Sequence, residues 1–178
     1  NMRMLKPGMN FTPEELQDAA VYLHQQGKRL YVTVNNLYYD REISELRNYL
    51  SFIEQIGADG IIVQDVAVVA LVQQMGLKVP LHASVQMGIS NLSAVRFLEE
   101  HGFARAILSK NLSLAEIASI NRECQLSLEF FAHGDLCISH TGQCYMSSYV
   151  SGASSNRGRC IKPCRWAYRL LGTAADPE

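Results

Sequence analysis

Apolar positions along the chain alternate between two rhythms. Ile43, Leu46, Leu50, Ile53 and Ile56 fall three or four residues apart, which predicts a helix over 43–56 with Gly57 as its stop. Further helices are predicted over 13–26, opened by Thr12 as N-cap and Pro13 in the first turn, and over 66–75, ended by Gly76. Two more follow, over 92–101 with Asn91 as cap, and over 113–122, where Ser113 and Glu116 are spaced as a capping box. Between the helices lie short runs rich in apolar, β-branched and aromatic residues, predicting strands over 28–36, 60–64, 81–85, 105–108 and 126–131.

Strands alternating with single helices are the rhythm of a parallel sheet covered by right-handed crossovers. A doubly wound sheet and a (β/α)₈ barrel both have it. Five strands are too few for eight, so the reading is an incomplete TIM-barrel-like (β/α) repeat domain over 1–134. The chain opens on Asn1 rather than Met, and its first ten residues read as a loop, so a piece of a longer protein is expected. No Gly-rich phosphate loop follows the first strand, which removes support for a Rossmann site. From Gly134 to Arg165 the helical period disappears and Gly, Ser, Cys and Arg dominate. Residues 135–178 are therefore read as a Cys/Arg/Gly-rich C-terminal loop region continuous with the barrel.

Composition changes this picture little. The 178 residues are 48% hydrophobic and 19% charged, an ordinary globular balance, and the net charge of −1 announces no global basic field. The most apolar stretch, 60–72, is too short for a membrane span and is broken by Gln64 and Asp65. No basic region precedes an apolar run at the N-terminus, which favours a cytoplasmic protein whose thiols stay reduced. Five cysteines in such a chain read first as ligands or reactive thiols.

Parallel α/β folds place chemistry at the carboxyl ends of strands. Those ends carry Asn35 and Asn36, Gln64 and Asp65, His82, Ser84 and Gln86, Ser109 and Lys110, and Glu129, His133 and Gly134. Polar residues there often only cap helices or form turns, but together they could line a pocket facing one ligand. Glu129, His133, Asp65 and Ser84 are the catalytic candidates, and His82 and Gln86 are candidates for binding substrate.

The cysteines are more specific. Cys137, Cys144, Cys160 and Cys164 are separated by six, fifteen and three residues in a Gly/Ser/Arg-rich stretch unsuited to a core. They are read as ligands of one metal or iron–sulfur site, with zinc open as well as a cluster. Cys124, at the end of a predicted helix, is read as an inert buried thiol. Arg157, Arg159, Lys162, Arg165 and Arg169 would offset the charge of a thiolate site or greet a phosphate backbone. Trp166, Tyr168 and Tyr145 make this a basic–aromatic mixture suited to stacking single-stranded bases, with Arg157, Arg165 and Trp166 as the binding candidates. The alternative for Trp166 and Tyr168 is core packing in a helix beginning near Cys164. His133 and His140 flank Cys137. No HExxH run is present, which excludes a zincin protease, and nothing identifies an activated serine.

At these residues the chain resembles the collagenase-like peptidase family of unknown catalytic type, family U-32. The resemblance rests on Glu129, Phe131, Gly134, Cys137, Gly142, Cys144 and Ser147, and on Asn156, Arg157, Gly158, Cys160, Pro163, Cys164 and Arg165. His82, Ser84 and Gln86, and the run from Gly60 to Asp65, extend it. Asp135 departs from the family's small residue. The resemblance implies a TIM-barrel-like catalytic domain, labelled a peptidase, whose relatives hydroxylate tRNA wobble uridine or an rRNA cytidine. It implies a [4Fe-4S] cluster held by Cys137, Cys144 and Cys160, with Cys164 or a cysteine beyond Glu178 as fourth ligand. Prephenate is implied as a hydroxyl donor and RNA as partner. Peptidase activity and a zinc-stapled RNA-binding module are the alternatives. The fragment alone is expected to be inactive, with an exposed sheet edge that invites a homodimer.

Overall fold

A computed structural model describes residues 10–169 other than Asp135 and Thr141. The expectations placed on the first nine residues and on Asp135 lie outside the described residues. Local signals set most of the boundaries. Helix α1, Pro13–Gln25, opens on a complete capping box between Thr12 and Glu15. Strand β1 is Tyr31–Val34, helix α2 Ile43–Gln55, strand β2 Gly60–Val63 and helix α3 Val66–Met75. Gly76 ends α3 in the left-handed conformation, at φ 65°. Strand β3, Leu81–Ala83, leads to helix α4, Leu92–Glu100, whose Ala94 amide donates to the Asn91 side chain at 2.9 Å. Strand β4 is Phe103–Ile107, helix α5 Leu114–Glu123 with the Ser113–Glu116 capping box, and strand β5 Ser127–Glu129.

Strand ends shift by up to three residues from expectation, and three further features bear on the site. Strand β3 stops at Ala83 because the Ser84 hydroxyl accepts from the Gln86 amide and turns the chain into a 3₁₀ turn, Val85–Met87. A short helix, α6 over Met146–Ser151, stands where only a loop is expected. No helix begins near Cys164: Pro163–Arg165 is a single 3₁₀ turn entered from Lys162, whose φ of 53° is left-handed.

The five strands form one sheet in the order β1-β2-β3-β4-β5, every neighbour parallel. A doubly wound sheet reverses its strand order at a switch point, and this one does not. That removes the doubly wound alternative and leaves the sequential order that the incomplete-barrel reading requires. The sheet itself is open, with β1 and β5 at its edges. Register puts Val34, Val63, Ala83, Ala106 and Leu128 in one row and Val32, Ile61, Leu81 and Phe103 in another on the same face. The buried members of these rows share a core with Leu46, Leu50 and Ile53 of α2, Val68 and Val72 of α3, and Val95 and Leu98 of α4.

The opposite face carries Thr33, Ile62, His82, Arg105 and Ser127 in one row. His82 is only 4% exposed, and its ring lies 4.8 Å from that of Tyr31. Gly60 makes the room, since a Cβ there would stand 2.9 Å from His82 Nε2. Burial, with the charges of Arg105 and Arg29, pushes the His82 pKa down to about 4. The folded state thus disfavours protonated His82. Its contribution is whole above the ordinary histidine pKa and is lost as pH falls from about 6.5 toward 4. Between pH 7.5 and pH 5 the chain is expected to lose about 2 kcal/mol of stability from this group. Urea unfolding at the two pH values should show that loss in the native chain and little of it in His82→Asn. Equal losses in both would assign the acid sensitivity elsewhere.

Candidate functional site

Because the strands run parallel, the loops that follow them emerge on one rim, and the cysteine-bearing segment packs against that rim. Four attachments fix it. From the end of β4, Lys110 donates through Nζ to the backbone carbonyls of Cys137 and Ser139. After β3, Gly142 lies so close to the Gln86 carbonyl that a Cβ would overlap it and would also stand 2.9 Å from Gln64 Nε2. Its φ of 87° asks for glycine independently. After β1, the Leu37 amide donates to the Asn156 carbonyl at 3.2 Å. Arg157 completes the set with a two-pronged bond to the Glu42 carboxylate, and its Nη1 also donates to the Leu37 carbonyl at 2.7 Å.

The segment so held contains a cavity of about 390 Å³ whose wall includes Cys137, Cys144, Cys160 and Cys164 together with Gln86, Asn156, Lys162 and Arg165. All four thiols are partly buried and none is in a disulfide. Cys137 Sγ lies 3.3 Å from the Ser139 hydroxyl. Fully buried Ser147 accepts from the Ile161 amide at 3.3 Å and turns its hydroxyl toward Cys160 Sγ at 3.9 Å. Ser155 donates to the Cys144 carbonyl at 2.5 Å. Among the described residues, no three His, Cys, Asp or Glu side chains converge as ligands of one ion. The thiols therefore border one cavity without meeting at one point.

The rim is basic and aromatic. Between residues 136 and 169 the sequence has Arg157, Arg159, Lys162, Arg165 and Arg169 and no Asp or Glu, against −1 for the whole chain. Tyr145 is 72% exposed and Tyr149 93%, and Ile138, Trp166 and Tyr168 are exposed as well.

The other sequence candidates are sorted by this geometry. Asp65 accepts from the Ala67 amide and the Tyr38 amide, each at 2.9 Å, so both its oxygens serve the backbone as a cap. Ser84 is buried in its turn. Glu129 pairs with Arg105 at 3.2 Å on the sheet face that carries His82. His82 itself packs tilted against the Tyr31 ring and is not part of the cavity wall. His133 is exposed, and Trp166 stands outside the cavity. Arg157, expected to meet substrate, is instead engaged by Glu42 and covered by the Tyr39 ring, 4.0 Å from its Cζ. Arg165 lines the cavity and donates to the Leu136 carbonyl at 2.8 Å. Gln86 and the four cysteines line the cavity.

Sequence reasoning missed the roles of Lys110, Ser147, Ser155 and Asn156. Lys110 is legible as a strand-end cation, and Ser147 and Asn156 as residues of the quoted motifs. The pairing of Arg157 with Glu42 carries no local signal, since 115 residues separate them. Cys124 is partly buried, and burial beside Glu99 pushes its thiol pKa up, as an inert thiol requires.

A sequentially ordered parallel β/α sheet with a four-cysteine cavity at its strand ends is the class of protein that fold and site define. The family model described as peptidase family U32 matches residues 1–178, and the chain belongs to that family. It is similar to the "tRNA hydroxylation protein P1" of Bacillus subtilis (strain 168), at 33% identity over 92% of this chain and 39% of the relative. It is also similar to a "Collagenase" of Porphyromonas gingivalis (strain ATCC BAA-308 / W83), at 31% identity over 96% of this chain and 43% of the relative. The solved structure titled "The Structure of the U32 Peptidase Mk0906" shares the fold, with a TM-score of 0.59 at 15% identity over 72% of this chain and 55% of that one. The chain spans less than half the length of the curated relatives it matches.

Proposed function

We propose that this chain is the cysteine-bearing part of an iron–sulfur enzyme that hydroxylates RNA. The observation that carries the reading is the shared cavity of Cys137, Cys144, Cys160 and Cys164 under a rim rich in cations and exposed aromatics. A [4Fe-4S] cluster takes one thiolate at each of its four irons, and four thiols border this cavity. The donor set fits a cluster, with Cys137, Cys144, Cys160 and Cys164 as its ligands. Bound there, a cluster would supply one-electron chemistry at the strand ends.

The chain's own residues prepare the place. Lys110 holds the Cys137 segment by its carbonyls, and Ser147 sits beneath Cys160. Lys162 and Arg165 bring positive charge to the cavity wall, where an anionic hydroxyl donor such as prephenate would meet it. Tyr145 and Trp166 offer ring faces to unpaired bases, and Arg159 and Arg169 would follow the phosphates. In this reading 135–178 is the cluster-binding region, and the row Thr33, Ile62, His82, Arg105 and Ser127 would face the lumen of an incomplete TIM-barrel-like domain. The similarity to the "tRNA hydroxylation protein P1" supports RNA as substrate.

A peptidase reading is favoured by the similarity to a collagenase. The described side chains lend it little: Ser84, Ser147 and Ser155 bond amides, a carbonyl or a thiol, and none bonds a histidine. The deciding experiment is nucleoside mass spectrometry of RNA from cells whose full-length protein carries Cys137→Ala. A hydroxylated nucleoside should disappear. An unchanged profile, with collagen cleavage by the pure protein, would put the peptidase in its place.

A further inference from the structure

We infer that Arg157 is a positioning residue: clamped by Glu42, it sets the Cys144 and Cys160 thiols toward the shared cavity from outside the cavity wall. Three observations meet here. First, three groups hold the guanidinium. It forms the two-pronged bond with Glu42, donates to the Leu37 carbonyl and lies under the Tyr39 ring, all on the stretch that joins β1 to α2. An arginine fork matched to a carboxylate fixes orientation as well as distance.

Second, its neighbours carry that placement to the thiols. Asn156 is buried and accepts from the Leu37 amide, while Ser155 is buried and holds the Cys144 carbonyl. Arg157 and Arg159 amides both donate to the Ser154 carbonyl, a tight turn that leads directly into Cys160. Third, the clamp holds a different part of the segment from Lys110 and Gly142. Lys110 bonds the carbonyls of Cys137 and Ser139 and Gly142 packs on Gln86, while the stretch that leads into Cys160, and through Ser155 holds the Cys144 carbonyl, is tied to the β1–α2 loop by Asn156 and Arg157. The Glu42 carboxylate, held by Arg157, has its pKa lowered to about 2, so the clamp stays charged throughout the neutral range.

The inference concerns where the thiols stand, whatever they bind, so it is tested on the full chain stripped of iron and kept reduced and anaerobic. The rates of iodoacetamide alkylation at each cysteine are followed by peptide mass spectrometry, with Cys124 as internal reference. In Glu42→Gln and in Arg157→Gln, Cys144 and Cys160 should react at least about fivefold faster while Cys124 keeps its rate, as local opening would produce. The double variant should be no faster than either single one, because both remove the same contact. Arg157→Lys, which keeps the charge and loses the fork, should fall between native and Gln. Unchanged rates, additive effects in the double variant, or Cys124 rising in step would each overturn the clamp. The RNA nucleoside profile tests the hydroxylase reading separately, so the two can fail independently.

Discussion

A Gly142→Ala chain is expected to keep its sheet and lose its cysteine cavity. The position combines two demands that rarely coincide. Its φ of 87° lies where a side chain costs about 1–3 kcal/mol, and a Cβ there would overlap the Gln86 carbonyl, which the 3₁₀ turn after β3 cannot easily move. The two effects together should cost about 3 kcal/mol locally, enough to lift the segment around Cys137 and Cys144 from the strand ends. Titration of accessible thiols in the native chain should report the lifting, with far-UV dichroism unchanged. Thiol reactivity equal to the wild type would show that the close approach of Gly142 to Gln86 is not what seats the segment.

The second large effect is expected in the core. Leu50 on α2 is fully buried, in the same cluster as Val32, Ile61 and Ile53. Leu50→Ala removes that contact and leaves a void the helix cannot close without shifting against β1 and β2. A loss of about 3 kcal/mol is expected, within the range seen for buried leucines. Urea unfolding measures it directly. A loss below about 1 kcal/mol would mean that α2 is free to collapse into the space and is not held by the crossover packing.

Much of the fold was legible because its signals are local. Asn91 caps α4, Ser113 and Glu116 open α5, and Gly76 ends α3, each through contacts only a few residues apart in sequence. Strand ends were harder to read, since what stops β3 is the Ser84 hydroxyl bonding the Gln86 amide, and apolar character alone runs on to Val85. Helix α6 was missed because Met146–Ser151 is too short to display a period. The aromatic helix near Cys164, the alternative reading for Trp166 and Tyr168, fails on Lys162 and Pro163, whose backbone turns the chain instead. The cysteine spacing pointed to one site, and the thiols do share one cavity. The partners that place them were not legible: Arg157 reads as a surface cation until its distant carboxylate is known.

The one-sided winding of this sheet has an evolutionary consequence. Since each crossover returns over the same layer of helices, each strand delivers its own loop to the rim, where a side chain can change without altering the sheet beneath it. A lineage can therefore exchange its lock one pin at a time while the barrel of the lock stays as it was. Kin that share the scaffold can then diverge in what they act upon, as relatives named for tRNA hydroxylation and for collagen breakdown suggest.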